Sequence, residues 1–164
     1  TGNVFSGNYA PSIGGGLFID EGANVRLTRE LIVANTIGAA DKGGAGLYVD
    51  GPRGTSASKT VLSFCTIAGN SGPAGSTGNA VYIEGESAAE ADRCIFWNNT
   101  GDTAVDFFVL AGSSLGITGS TFQTGTSGDG AFTASGCASA DPQFSDPANG
   151  DYHSLLTDRG IYGK

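Results

Sequence analysis

The chain contains few residues of several kinds, and each shortage argues against a class of protein. Only eight Lys and Arg stand against sixteen Asp and Glu, which gives a net charge of −8. Because these scattered cations form no basic stripe, we expect neither nucleic-acid binding nor docking on anionic lipid. No apolar run approaches the length of a membrane span, so we expect no membrane insertion in this segment. One histidine and three cysteines fit neither a zinc pattern nor a disulfide framework.

Sustained helical periodicity is missing as well. Short apolar runs alternate instead, as in Leu17 and Ile19 or Val81 and Ile83. Gly, Asn, Asp and Ser bound these runs, and glycine is the commonest residue, at 28 of 164. Alternation between turn residues predicts short β-strands, so the fold class is predicted to be all-β.

One short phrase recurs four times along the chain. An apolar residue stands three positions before an asparagine, a Gly-rich stretch follows, and a small residue then opens an alternating apolar run. The asparagines are Asn8, Asn35, Asn70 and Asn99, at steps of 27, 35 and 29 residues. The runs open at Gly16, Gly46, Ala80 and, more weakly, Ala104. A period of this size predicts a solenoid whose coils pair strand on strand, about 4.8 Å apart.

We expect the four asparagines to be structural. Asparagine tolerates the left-handed backbone region, and its side chain can hydrogen-bond local backbone at a turn. Asparagines stacked one above another can also bond along the solenoid axis, as in ladders of identical side chains. The repeated asparagine is therefore interpreted as a corner residue that ties successive coils together.

Aligning the chain on the asparagines places Cys65 and Cys94 in one column. They should lie on adjacent coils within disulfide range, which leaves open a free cysteine ladder or a disulfide. Cys137 should pair with neither. Glu30 belongs to the same column, and we expect it to flip outward because burying a carboxylate is costly.

Two surface rows could bind a ligand. If Leu17 and Ile19 face inward, strand alternation turns an aromatic row and an acidic row outward. The rows are Phe18, Tyr48 and Tyr82 beside Asp20, Asp50 and Glu84. Aromatic rings next to carboxylates could contact a polysaccharide, and stacked carboxylates could bind Ca²⁺, the one cofactor indicated. Two alternatives stay open: the acids simply end strands at turns, or the opposite parity buries the aromatics.

Several stretches resemble a known family. Val25–Thr28 leading to Asn35, Gly43–Tyr48 and Cys65–Asn70 are similar to repeats of bacterial right-handed parallel β-helix proteins, such as polymorphic outer-membrane autotransporter passengers. The tail 140–153 resembles the terminal segment of β-helix proteins that carry a choice-of-anchor Q domain. The resemblance implies a right-handed, single-stranded parallel β-helix of about five coils with a C-terminal cap. It covers nearly the whole chain and is specific for a scaffold rather than for an activity.

The resulting prediction is one β-helix domain over 1–164, with coils in 1–136 and a cap segment in 137–164. The chain opens in the middle of a repeat, which indicates a piece of a longer exported precursor that is extracellular or on the cell surface. The C-terminal end has a candidate cap, whereas the N-terminal end shows none. An uncovered end coil invites another strand, so head-to-tail self-association into a fibre is predicted.

The function favoured by the sequence is a non-catalytic structural or adhesive surface module. The alternative is a fragment of a polysaccharide-active enzyme, either a lyase or a glycosidase. Asp20 and Asp50 would stand near the carboxylate separation of a retaining glycosidase, but any two successive acids in a stacked row would do so. The basic residues do not share a column with the acids, and no catalytic residue is assigned.

Overall fold

Short alternating runs give strands of two to five residues, and the chain lays down three principal strands in every coil. The computed structural model of the chain describes residues 1–51, 57–101 and 105–154. Ala104 and residues 155–164 of the predicted cap lie outside these ranges. Five coils are stacked, and their strands form three five-stranded sheets.

Each sheet contains one strand from every coil. Sheet 1 consists of β1 (Val4–Ser6), β5 (Leu31–Val33), β9 (Thr66–Ala68), β12 (Ile95–Trp97) and β15 (Thr121–Phe122). Sheet 2 consists of β3 (Leu17–Ile19), β7 (Leu47–Val49), β10 (Val81–Ile83), β13 (Phe107–Val109) and β16 (Thr126–Ser127). Sheet 3 consists of β4 (Asn24–Thr28), β8 (Lys59–Ser63), β11 (Ala88–Asp92), β14 (Ser114–Thr118) and β17 (Ala131–Ser135). A small parallel pair, β2 (Tyr9–Ala10) with β6 (Thr36–Ile37), links the first two coils.

Pairing between coils is parallel, and like positions lie over like. In sheet 1, Ile32 pairs with Phe5 on one side and with Ile67 on the other, and Phe96 and Phe122 continue the column. Parallel strands at regular vertical steps, without a helix between them, make a solenoid rather than a doubly wound sheet. The predicted parallel β-helix of about five coils is confirmed.

The core fills the space between the three sheets. Ile32, Leu47 and Leu62 come from the three sheets of the second coil, and none of them is exposed to solvent. Phe96 and Phe107 meet edge to face in the fourth coil, with ring centroids 4.9 Å apart. Burial of one such side chain stabilises the fold by roughly 1.5–3 kcal/mol, so the column of coils is held mainly by apolar stacking.

The corners between sheets need left-handed backbone, but at a different residue from the one expected. Gly7, Ala34, Gly69 and Asn98 have positive φ values between 52° and 66°, and each immediately precedes a repeated asparagine. The asparagines themselves do not take the left-handed conformation, so that reason for their recurrence is wrong. Hydrogen bonds to the asparagines of neighbouring coils are what keep them at the corner.

Glu30 is buried, which corrects the expected outward flip. Only 4% of the residue is exposed, and its carboxylate accepts a hydrogen bond from the backbone N–H of Asn3 at 2.7 Å. Burial raises the pKa of Glu30 and the hydrogen bonds from Asn3 lower it, and the pKa lies below its ordinary value. Because its carboxylate is hydrogen-bonded, Glu30 can occupy the buried column that cysteine fills in later coils.

The cysteine column continues to Cys137, which the sequence alignment did not place in it. Cys65 and Cys94 lie on adjacent coils in one register and are free thiols, as the ladder alternative proposed. Ser120 and Cys137 continue the same column, because Ala138 pairs with Thr121. Cys65 donates to the Leu27 carbonyl at 3.4 Å, and Cys137 donates in the same way to the Ile117 carbonyl at 3.7 Å.

The tail leaves the coil stack after Ala138 and turns back. An antiparallel hairpin of β18 (Phe144–Asp146) and β19 (Asp151–Ser154) encloses a 3₁₀ turn over Pro147–Asn149. Phe144 and Tyr152 pack edge to face at 5.2 Å. A Cβ on Gly69 would stand 3.3 Å from the Tyr152 hydroxyl, so the hairpin reaches the flank of the third coil.

Candidate functional site

The aromatic row stacks along the outer side of sheet 2. Strand register places Phe18, Tyr48 and Tyr82 over one another, and Phe108 extends the row into the fourth coil. Successive ring centroids are 5.6, 4.7 and 4.9 Å apart. In the second and third contacts, Tyr48 with Tyr82 and Tyr82 with Phe108, the ring planes are nearly parallel, at 6° and 16°. Tyr48 and Tyr82 are therefore each packed between two other rings of the row.

The exposure expected for Tyr48 is wrong. Only 3% of Tyr48 is exposed, whereas Phe18 is 48% exposed. Leu47 and Val49 point into the core, so Tyr48 does face outward, but rings above and below cover it. The backbone of Gly44 closes its side, because a Cβ there would come within 2.9 Å of the Tyr48 ring. The row is consequently not a continuous open platform for a sugar chain.

The acidic row is used by local hydrogen bonds. An Asp20 carboxylate oxygen accepts from the Glu21 backbone N–H at 2.6 Å, and Asp50 accepts from Gly51 at 2.7 Å. Glu84 accepts a hydrogen bond of 2.5 Å from the Tyr48 hydroxyl. The two aspartates thus make the strand-ending turns that the sequence left open as an alternative.

Tyrosine ionisation is suppressed in this row. Burial, and next the hydrogen bond to Glu84, raises the pKa of Tyr48 well above its ordinary value. Burial, followed by the charges of Glu84 and Asp50, raises the pKa of Tyr82 to about 12. Both phenols are therefore neutral donors at physiological pH, with neither poised as a base.

No metal centre is formed within 1–51, 57–101 and 105–154. In these residues no group of three or more His, Cys, Asp or Glu side chains is placed to hold a metal ion. Asp20, Asp50 and Glu84 share a register but make the separate hydrogen bonds just described. Calcium binding at the acidic row stays a prediction.

The asparagines form a continuous ladder inside the corner between sheets 1 and 2. Asn8 donates its side-chain amide to Asn35, Asn35 to Asn70, and Asn70 to Asn99, each at 2.9 Å. Each accepting oxygen also takes the backbone N–H of the donor residue, at 3.0 to 3.2 Å. Every bond crosses from one coil to the next, so the ladder joins four coils directly.

Asp106 ends this ladder and was not identified from the sequence. It is 1% exposed and immediately precedes Phe107, which lies in the core. Its carboxylate accepts from the backbone N–H groups of Gln123 and Thr124, at 3.0 and 2.7 Å, and from the Thr124 hydroxyl. Burial raises the pKa of Asp106 despite these bonds and a further one from Asn99.

A groove on the outer face of sheet 3 was also missed. It spans β8, β11, β14 and β17, has a volume of about 300 Å³, and is lined by Glu90, Asp92, Gly116, Thr118, Thr133 and Ser135. The signal in the sequence was the outward positions of the five-residue strands, where Glu90, Gly116 and Thr133 share a row. That row carries no repeated residue type, so alignment on the asparagines did not reveal it.

The family comparison decides the identity of the scaffold. A model described as a right-handed beta helix region matches residues 1–154. The chain belongs to the right-handed beta-helix family. Comparisons with curated proteins and with solved structures gave no match.

Membership in the right-handed beta-helix family supplies the hand of the coil that the strand pairing alone leaves unstated. The family is defined by a scaffold, and this beta-helix is compatible with surface or polysaccharide-related roles without specifying one. Among the described residues, no helix has the length and apolar character needed to cross a membrane. The surfaces of this right-handed beta-helix protein, rather than its scaffold, therefore carry the information on function.

Proposed function

We propose that this right-handed beta-helix protein is a non-catalytic structural or adhesive module, displayed outside the cell or on its surface and able to assemble head to tail. The observation that carries the proposal is the apolar surface of the first coil. The exposed large hydrophobic residues of the described chain all belong to that coil: Val4 is 63% exposed, Tyr9 67% and Phe18 48%. Exposed apolar residues gathered at one end of a solenoid favour contact with another protein surface.

Strand edges at the same end support this proposal. Among the described residues, β1, β3 and β4 each pair on one side only, with the second coil. The opposite end presents β15, β16 and β17 in the same three sheets; β15 is already bridged to Ala138, whereas among the described residues β16 and β17 pair on one side only. A contact between unlike ends is heterologous, and it propagates into an open filament unless rotation closes it. A second copy of the chain therefore offers strands that match those of the first coil.

The extracellular and bacterial parts of the proposal rest on resemblance. The repeats resemble autotransporter passengers, and the tail resembles choice-of-anchor Q proteins, both of which imply display at a bacterial surface. The acidic net charge of −8 supports a partner other than nucleic acid or anionic lipid. A polysaccharide is the partner chemistry that suits such a surface.

Mass in solution tests the assembly directly. Light scattering across a concentration series should show species larger than the 16.4 kDa chain. Val4→Lys places a charge on the exposed edge strand and should shift the population to monomer. Ser63→Lys makes the same type of change on the outer face of an inner coil and should leave the assembly intact. A monomer at every concentration would refute head-to-tail assembly.

The same measurement extends to calcium. If Asp20, Asp50 and Glu84 bind Ca²⁺ as the sequence predicted, EDTA should change the mass or the thermal midpoint, and added Ca²⁺ should restore it. An unchanged profile removes calcium from the proposal.

The competing function is a polysaccharide-active enzyme fragment. Its strongest candidate pair is Asp20 and Asp50, but each of these carboxylates holds its own turn. Incubation with uronate polysaccharides, monitored for unsaturated products and new reducing ends, tests the alternative. Product formation that is abolished by Asp50→Asn would overturn the non-catalytic proposal.

A further inference from the structure

We propose that Tyr48 is a redox-active tyrosine, which gives one electron to an oxidant at the protein surface and passes its phenolic proton to Glu84. This activity is separate from the structural or adhesive role proposed above and does not depend on it. Three features of the outer side of sheet 2 carry the proposal: the hydrogen bond to Glu84, the burial of the phenol, and the rings stacked around it.

The hydrogen bond to Glu84 supplies the base that oxidation of a phenol needs. A phenol that loses an electron becomes a strong acid, so the electron leaves most easily where a base already holds the proton. The Tyr48 hydroxyl donates to a Glu84 carboxylate oxygen at 2.5 Å, the length of a charge-assisted bond to an ionised carboxylate. Glu84 follows β10 in the next coil, so the stacking of coils sets this geometry before any oxidant arrives.

The step transfers one electron and one proton. The O–H bond of Tyr48 breaks, the proton forms a new O–H bond with the Glu84 carboxylate, and the electron goes to the oxidant. A one-electron oxidant, such as an activated haem peroxidase or a photochemically generated metal complex, meets this requirement. A one-electron reductant such as ascorbate returns the electron to the Tyr48 oxygen, and the proton moves back from Glu84. The pair is thereby restored to its starting state.

Burial protects the radical that this step leaves on Tyr48. Exposed phenoxyl radicals couple with one another to form dityrosine, whereas Tyr48 is only 3% exposed. Phe18 and Tyr82 cover the ring on two sides, at centroid distances of 5.6 and 4.7 Å, and the Gly44 backbone borders it on a third. Excluding solvent and reaction partners suppresses side reactions of a reactive intermediate. The radical should therefore outlive one formed on Tyr9, which is 67% exposed.

The same rings give the electron a route to the surface. Phe18 packs edge-on against Tyr48 and is 48% exposed, so an oxidant on the outer face lies one ring away from the buried phenol. On the other side, Tyr82 stacks on Tyr48 with 6° between the ring planes, and Phe108 continues the row at 4.9 Å. Stacked π-systems let the electron leave along the row. The proton acceptor, Glu84, fixes the radical on Tyr48.

Electron paramagnetic resonance on rapidly frozen samples tests the proposal. Photogenerated tris(bipyridine)ruthenium(III) oxidises the full chain, and ring-deuterated tyrosine or tryptophan assigns the signal to a residue type. The native protein should give a neutral tyrosyl radical that lives at least tenfold longer than that of N-acetyltyrosinamide under the same conditions. Tyr48→Phe should abolish this long-lived signal, and Tyr9→Phe should leave it unchanged. The absence of a long-lived tyrosyl radical, or its loss in Tyr9→Phe, would overturn the proposal.

Glu84→Gln tests the proton acceptor. Glutamine keeps the shape and can still accept a hydrogen bond from Tyr48, but its amide oxygen is too weak a base to take the proton. Oxidation of Tyr48 should slow at least tenfold, and the native protein should react more slowly in D₂O because the proton moves with the electron. Glu86→Gln makes the same change at an exposed turn and should alter neither rate. Equal rates in the native protein and Glu84→Gln would leave the hydrogen bond a structural role only and refute the proposal.

A second variant and a second measurement keep the assignment independent of folding and of assembly. Tyr82→Phe preserves the stacked row and should retain the long-lived signal. Loss of the signal in Tyr82→Phe, with retention in Tyr48→Phe, would place the radical on Tyr82 and contradict the assignment. Light scattering on the same samples reports head-to-tail assembly separately, so a monomer that forms the long-lived radical supports this activity while removing the assembly.

Discussion

Replacing Asn70 by alanine should be among the most damaging single changes available in this protein. Asn70 is fully buried in the middle of the ladder. Its side-chain amide donates to the Ile32 carbonyl and to Asn99, and its side-chain oxygen accepts from both the backbone and the side chain of Asn35. Alanine removes all four bonds and leaves the Asn35 donors facing the corner without their acceptor.

The magnitude follows from these four bonds. At about 1 kcal/mol net per hydrogen bond, Asn70→Ala should lower the free energy of unfolding by roughly 4 kcal/mol. A buried donor left without an acceptor costs more than the lost bond itself, so about 4 kcal/mol is a lower limit for the loss of unfolding free energy. A typical domain has about 5–15 kcal/mol in total, so the loss is a large share of the stability.

Asn8 supplies the matched control for Asn70. It occupies the same column in the first coil, is exposed, and donates one side-chain bond, to Asn35. Asn8→Ala should therefore cost about 1 kcal/mol. Urea unfolding followed by circular dichroism gives both values from the midpoint and slope. Equal losses in Asn70→Ala and Asn8→Ala would refute the reasoning that burial and bond count set the cost.

Three further predictions address the buried phenol, the ladder terminus and the thiols. Tyr48→Phe removes the hydrogen bond to Glu84 and should cost about 1.5 kcal/mol in urea unfolding at pH 7, whereas Tyr9→Phe at an exposed position should cost nothing measurable; equal effects would contradict it. Because burial raises the folded-state pKa of Asp106 above 3.8, the folded protein holds that proton more tightly, so stability should fall as pH rises through and beyond 3.8. Asp106→Asn should remove this part of the pH dependence, and a constant difference between the two proteins from pH 3.5 to 7 would argue against it. Half-buried Cys137 should react with a thiol reagent in the native state, while Cys65 and Cys94 should react only on unfolding; three equal native rates would contradict the column.

The recurring asparagine phrase predicted most of the fold because it occurs at structurally equivalent positions in successive coils. Asn35 and Asn70 fix the register between two coils, and that register then places Cys65 beneath Cys94 and alternates core and surface along each strand. A solenoid makes such inference possible, since each coil contacts mainly its neighbours and repeats their geometry.

The wrong expectations for Tyr48 and Glu30 share one physical cause: alternation gives the direction of a side chain but not what covers it. Tyr48 points outward and is nevertheless buried, because its neighbours in the row are also aromatic. Glu30 points inward and is accommodated by hydrogen bonds with Asn3, a residue from the coil before it. Neither outcome can be read from one coil alone.

The groove illustrates the opposite case, in which the informative feature is a missing side chain. Gly116 has no side chain, whereas Glu90 and Thr133 on the neighbouring strands do. Glycine is too common in this sequence for one such position to be noticed. Its significance appears once Glu90 and Thr133 are known to flank it.

The central claim is that successive coils stack with like residues over like. Nuclear Overhauser contacts between backbone protons across sheet 3 measure this most directly. The structure predicts contacts linking Leu27 to Leu62, Leu62 to Ala91, and Ala91 to Ile117, at the roughly 4.8 Å strand spacing. Contacts displaced by one residue in any of these pairs, or contacts of antiparallel type, would contradict the stacked register.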